Sequence, residues 1–393
     1  MTIRAITFLP SLRRSTRRPP LNFALFEAAV ALYEENRPLD ALGKVFEHLM
    51  PGLPSPDLKK APFTFTQGSS NVTVLLDGDE FVVTVPLCKL PSGPTAVAAM
   101  RHVLTKISGS GQLHQPRLHG DEIKLEFRDS LSRLHPAKVV EVLRRMPNEA
   151  DQHDDWLIGQ FKAEPLNRAE IAPLRAEDVQ IAFSMWEQHW NEVEELLNES
   201  RRKRSIFFLN ELTAFATNRI TCVLPLYGFL VARLEEAVST FNNAQEDPNK
   251  RETTLAKCIK DMKAVEVDEL SMNLGYAEYA LSPYQEGTPQ VLKAQIGPGR
   301  YMDMVEELFK SGKSIDSALA LVGTYYYLAA RFSWEAAVEA DFLAGLASVS
   351  GKPWRETTTA LLEHAKMMSE KYGSDDEKDE DGNNGDDEPG EES

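Results

Sequence analysis

Cysteine is scarce in this chain. Cys88, Cys222 and Cys258 stand far apart among 393 residues, and no CxxC pair occurs. That spacing argues against a disulfide framework and against a cysteine zinc cage, and it fits a reducing cytoplasm. Long apolar runs are missing too. The most apolar uncharged stretches, residues 220–232 and 317–330, fall short of the roughly 20 residues that cross a bilayer. They read as buried core helices, and no membrane partner is expected. Residues 1–19 place Arg13, Arg14, Arg17 and Arg18 after a very short apolar run, the wrong order for a secretory signal, so they are read as a basic arm. Positive charge is in deficit: 43 Lys and Arg face 60 Asp and Glu, net −17. Nonspecific phosphate binding draws its affinity from clustered cations, so no nucleic-acid partner is expected.

Motifs that carry chemistry are equally sparse. There is no GxSxG elbow, no HExxH and no HxxxH, and none of the cysteines has a local nucleophile signature. "SGSG" at 108–111 feeds a strand, whereas a phosphate cradle needs a helix N-terminus facing the anion. "IGPGR" at 296–300 reads as a connector. His114, His119 and the run His153-Asp154-Asp155 lack the converging spacing of a zinc site. "RRKR" at 201–204 follows a Glu-rich helix and is expected to complement its C-terminal dipole and pair with nearby acids. Three adjacent rings, Tyr325 to Tyr327, cannot all face one way on a helix; interhelical packing is expected, with at least one ring turned to a groove or another subunit. No catalytic residue, cofactor or metal is assigned.

What is present is pattern. Phe23, Phe26, Val30 and Tyr33 share one helical face, and Leu39, Leu42, Val45, Phe46 and Leu49 share a second after Arg37-Pro38, giving a helical hairpin. The stretch "FTFTQGSSNVTVLLDGDEFVVTVPL" then switches to period two and predicts strands over 62–67, 71–77 and 80–86, with the tight turn at Gly78. A helix follows over 95–107 with Thr95 as N-cap and an apolar stripe of Val97, Met100, Val103, Leu104 and Ile107. A second hairpin turns at Gly120-Asp121, and a helix starts at Pro136 and resumes past Pro147 to Phe161.

The order helix, strand, strand, strand, helix, strand, strand, helix, with "DGDEFVVTVPL" and "HGDEIKLEFRDSL" as its marked segments, resembles the fold of type III secretion chaperones and YbjN-type domains over about residues 20–161. The resemblance implies a twisted antiparallel sheet with helices packed on it, a tendency to dimerise, and a capacity to hold extended segments of partner proteins. It brings no catalytic residues. The apolar residues Phe63, Phe65, Val72, Val74, Phe81, Val83 and Val85 occur in alternating sets. One set is expected in the core, and any exposed apolar member is expected to mark a protein-docking face.

From 166 onward the chain reads as helical. Met185, Trp186, Trp190, Val193 and Leu197 form one stripe, Pro225 must kink or split the apolar segment 205–241, and further helices are expected at 250–264, 301–312, 316–347 and 353–371. Residues 374–393 carry eleven acids against Lys378 and predict a disordered acidic tail. The reading is thus an α+β protein: a basic arm (1–19), a chaperone-like α+β domain (20–165), an all-helical domain (166–373) and the tail (374–393). Three functions fit it. The leading one is a non-enzymatic bacterial adaptor, cytoplasmic and homo-oligomeric or bound to a polypeptide through its sheet. The others are a helical enzyme or ligand-binding module regulated by the front domain, and a structural component of a secretion or phage-tail-like assembly.

Overall fold

The protein is seen here as a computed structural model that describes residues 5–14, 22–52, 55–108, 112–242, 247–282 and 284–373. The acidic tail of the sequence reading lies outside them. The fold is mixed α+β, helices with an antiparallel sheet. In chain order, the hairpin α1 (Phe23–Glu34) and α2 (Pro38–Leu49) leads into β1 (Phe63–Gly68), β2 (Ser70–Asp77) and β3 (Glu80–Lys89). Then come α3 (Pro94–Lys106), β4 (Gln115–His119), β5 (Glu122–Ser130) and the long α4 (Pro136–Phe161). The second half comprises β6 (Ala172–Pro173), α5 (Ala176–Lys203), α6 (Ile206–Val223), α7 (Gly228–Asn242), α8 (Pro248–Lys263), α9 (Val267–Ser271), β7 (Gly275–Tyr276), β8 (Glu278–Tyr279) and β9 (Gln285–Glu286). It ends with α10 (Pro289–Ile296), α11 (Arg300–Lys310), α12 (Ser314–Arg331), β10 (Phe332–Ser333), α13 (Ala336–Ser348) and α14 (Trp354–Tyr372).

The large sheet runs β4-β5-β3-β2-β1-β8. Alternation sends Phe65, Val72, Val74, Phe81, Val83, Val85, Leu125 and Phe127 to one face, where they are buried together with Val139, Val142, Leu143 and Met146 of α4. The opposite face is mostly polar, with Leu75 and the buried Val82 paired across β2 and β3. A bulge between Pro86 and Cys88 lets Leu87 and Cys88 both turn inward. Helix α4 continues through the buried Pro147 as one helix.

The helical half has its own core, built on the pair α6 and α12. Gly323 of α12 sits against the backbone of α6 at Glu211, which lets the two helices approach closely, and α12 is buried almost throughout its length. Pro225 divides α6 from α7 as expected. The stretch 316–347 departs from the single helix expected: Phe332 and Ser333 leave helical geometry to pair with Gln285 and Glu286, so α12 and α13 are separate. The turn-rich segment before residue 300 contains a helix, α10, capped by the Thr288 hydroxyl. Helix α3 starts after Gly93 with no side-chain cap. Its buried residues are Ala99 and Val103, with Ile107 buried just past its end, whereas Val97 and Leu104 are 47% and 61% exposed; the buried face is turned from the expected stripe toward Ala99, and His102 meets His153, Trp156 and Phe161 of α4.

The two cores exchange segments. Residues 5–14 are not a free arm: Ile6 and Leu9 are buried in the helical core. The Gly351 N–H donates to the Ile6 carbonyl at 2.9 Å, and the Leu12 N–H donates to the Val223 carbonyl at 2.7 Å. In the other direction, β8 pairs with the end of β1, and Leu281 is buried in the sheet core. Helices α4 and α7 meet at Gly159, where any Cβ would press on the Phe229 ring. A boundary at residue 165 therefore separates the two cores but not the segments that complete them.

Candidate functional site

Of the seven residues expected to mark a docking face, six are buried: Phe65, Val72, Val74, Phe81, Val83 and Val85. Phe63 is half-buried against Phe46 and Phe65. All seven belong to the core-facing set, so the side chains left on the other face are mostly polar, with Leu75 and Val82 among them, and the groups left on the edges are backbone groups.

The two edges of the sheet differ. On β4, the pairing of Arg117 with Lys124 places Pro116 at the neighbouring position opposite Leu125. A proline in an edge strand has no N–H to offer an incoming strand, and a charged neighbour further discourages one. At the β1 edge, β8 covers only the last part: Gln67 faces Tyr279 and Gly68 faces Glu278, and the Thr66 carbonyl accepts from the Ala280 N–H at 2.9 Å. Gln67, fully buried, fixes this junction by donating from Nε2 to the Leu281 carbonyl at 3.2 Å and accepting from the Leu281 N–H at 2.9 Å. Backbone groups of an antiparallel strand alternate in direction. Since the Thr66 carbonyl points away from β2, so do the N–H and carbonyl of Thr64, which lie beyond the end of β8.

These unpaired groups open onto a cleft of about 880 Å³ between the sheet and the helical half, lined along one side by residues 63–66 and along the other by 224–227 and 275–280. Arg13 and Arg14 close one end. The Arg14 guanidinium carbon lies 3.8 Å from the Tyr276 ring centroid, and that of Arg13 lies 4.9 Å from the Tyr284 centroid. Stacking uses the flat faces of the guanidinium and leaves its edge donors available for carboxylates; one of them, Arg13 Nη1, donates to the Thr221 carbonyl at 3.2 Å. Among the described residues neither arginine forms an ion pair. Arg331, also in the lining, is paired with Glu235 at 3.1 Å. The cleft thus combines a free strand edge, Thr hydroxyls, Tyr rings and two cations without carboxylate partners.

The remaining chemical candidates resolve into structure. His153 turns toward His102, their ring nitrogens 3.4 Å apart, and burial pushes its pKa down to about 4. Asp154 and Asp155 point elsewhere, to Arg168 at 3.1 and 2.7 Å. The Ser69 hydroxyl lies 2.8 Å from both the Asp151 and the Asp154 carboxyl, tying the β1–β2 turn to α4. Burial raises the pKa of all three carboxyls. His114 is buried against Glu149 at 2.6 Å, and His119 is exposed on β4. No group of three His, Cys, Asp or Glu among the described residues could hold a metal ion. All three cysteines are buried, and burial pushes their thiols up to about 12 for Cys88 and about 11 for Cys222 and Cys258, which disfavours the thiolate a nucleophile needs.

Within "RRKR", Arg201 pairs with Glu252 at 2.8 Å, Arg202 with Glu199, and Lys203 with Asp316. Tyr325 and Tyr326 are buried, the former with its hydroxyl 2.8 Å from His364 Nδ1, and Tyr327 packs on Phe332. No described helix is long and apolar enough to cross a membrane.

Neither family models nor curated proteins yield a match to this chain. The cleft was not anticipated from the sequence. Its only signal there was Arg13-Arg14 in an acidic protein.

Proposed function

We propose that the protein is a non-catalytic, cytoplasmic adaptor that holds an extended polypeptide segment in the cleft beside β1, as an added strand continuing the line of β8. The observation that carries this reading is the outward-facing, unpaired backbone of Thr64 at the floor of an open cleft. Strand addition draws affinity from main-chain hydrogen bonds and selectivity from side-chain pockets at alternate positions. Tyr276 and Tyr279 offer aromatic surface for those side chains, and Arg13 and Arg14 favour an acidic residue at one end. The likeness to secretion chaperones supports the same conclusion, because their expected property is to hold extended partner segments. The high thiol pKa values and the pairing of Asp154 and Asp155 with Arg168 favour a binding role over a catalytic one.

The test is Thr64→Pro. The lost N–H points into the cleft, so the β1–β2 ladder keeps its bonds and proline is tolerated at such an edge. Peptides selected from a displayed random library on the wild-type protein are expected to lose binding at least tenfold on Thr64→Pro, with little change in melting temperature. Undiminished binding would refute strand addition. Light scattering of the purified protein distinguishes a foreign segment from one supplied by a second copy.

A further inference from the structure

A second cavity, of about 290 Å³, lies between residues 11–14, the end of α6 at Cys222, β10 and α13. Its volume is near the lower end for small-molecule sites. Its lining is of two kinds. Phe332, Trp334 and Leu343 supply an apolar part, in which the Trp334 indole is fixed: its N–H donates to the Leu328 carbonyl at 2.9 Å, and its ring packs on Phe342 with centroids 5.4 Å apart. Arg13 and Glu339 supply two opposite charges. Both are half-buried, and both act on the Cys222 thiol in the lining: burial pushes that thiol up to about 11, with Arg13 opposing the rise and Glu339 adding to it. Yet among the described residues neither charge forms an ion pair, with the other or with a third residue. Arg13 is held instead against the Tyr284 ring and the Thr221 carbonyl. A partly desolvated charge without a partner is costly, so two opposite charges kept apart in one cavity suit a molecule that carries both complements.

We propose that this cavity binds a free α-amino acid with an apolar side chain. The ligand carboxylate takes the in-plane donors that stacking leaves open on Arg13. Its ammonium group pairs with Glu339, and its side chain packs on Phe332, Trp334 and Leu343, where burial of apolar surface adds affinity. A molecule with one charge satisfies one wall and leaves the other charge unpaired, and a charged side chain meets the apolar part, so the cavity selects the zwitterion with an apolar group. Arg14 is not needed for this, because it stacks on Tyr276, which lines the β1 cleft and not this cavity. The site therefore stands apart from the strand-addition role and does not depend on it.

The experiment is calorimetric titration of the full chain with L-leucine, L-methionine and L-phenylalanine, each at millimolar concentration. Saturable one-to-one binding of at least one of them is expected. The same compound without its amino group, and the same compound without its carboxyl group, should each bind at least tenfold more weakly, since each leaves a charged group of the site unsatisfied. Glu339→Gln and Arg13→Gln should each weaken the amino acid at least tenfold, with melting temperature as the control for folding. Glu339→Gln lies on α13 and leaves residues 5–14 intact, so it decides the matter if Arg13→Gln loosens that segment. Absence of binding by all three amino acids would overturn the proposal, as would equal binding of the deaminated acid or undiminished binding by Glu339→Gln. Thr64→Pro is expected to leave amino-acid binding unchanged, which separates failure of this site from failure of strand addition at β1.

Discussion

Arg219 offers the sharpest test of how the N-terminal segment is held. Its side chain is fully buried, donates from Nη1 to Glu192 at 2.6 Å and from Nη2 to the Thr7 carbonyl at 2.5 Å, and lies 5.2 Å from the Phe215 ring centroid. One guanidinium therefore binds α6 to α5 and both to the strap formed by residues 5–14. Arg219→Met keeps most of the volume and deletes the charge, leaving Glu192 largely buried without its partner. Removing one member of a buried ion pair costs about 3–5 kcal/mol, and the loss of the strap bond at Thr7 adds about 1 kcal/mol. The double variant Arg219→Met/Glu192→Leu removes both charges and should recover most of the first cost, because a buried pair replaced by apolar residues of similar volume is close to neutral. Urea unfolding followed by tryptophan fluorescence reads the helical core directly, since Trp186 and Trp190 lie in it. Limited proteolysis at Arg13 and Arg14 reads the strap. Arg219→Met is expected to speed cleavage there at least tenfold. A loss below 1 kcal/mol, or a double variant no more stable than the single, would refute the view that the ion pair and the strap depend on one another.

Three further outcomes follow from the packing. Burial raises the Glu211 carboxyl from its ordinary 4.5 to about 7, although the hydroxyl of Tyr301, 3.2 Å away, stabilises its charge; the folded protein then holds a proton that the unfolded chain has released, so stability should fall as pH rises from 4.5 to 7. Glu211→Gln should remove that fall, visible as the difference between the two unfolding curves across this range, and parallel curves would contradict the burial argument. Gly159→Val forces a branched side chain into Phe229 at the α4–α7 contact; a loss of about 1–3 kcal/mol and faster trypsin cleavage between residues 162 and 175 are expected, and unchanged cleavage would show that the halves are held elsewhere. Gly68→Ala places a Cβ against the Asp151 carboxylate at a left-handed φ of 61°; it should lower the melting temperature more than Gly78→Ala, where φ is 65° and nothing lies within 4 Å, and equal effects would remove the clash from the explanation.

The strands β1 to β5, the split at Pro225 and most of the helices were legible in the sequence, because period two, period 3.6 and proline act over a few residues and leave their mark there. The alternating set from Phe63 to Val85 identified a core face for the same reason. It could not identify a docking face, since alternation tells which residues share a side but not that α4 lies over it. Val97 and Leu104 were assigned to the inner face of α3 on hydrophobicity alone; the packing buries Ala99 and leaves both of them exposed, which the hydrophobicity of single residues does not reveal. What remained hidden were the crossings: a two-residue strand at Glu278–Tyr279 has no periodicity to detect, and nothing local in residues 5–14 reveals a groove more than 200 residues away that accepts their backbone. Local pattern determined the elements of this protein. The cleft, the free edge of β1 and the pairing of Arg13 and Arg14 with tyrosine rings came only from tertiary structure, because each is made by groups that burial and backbone hydrogen bonding bring together from distant parts of the chain.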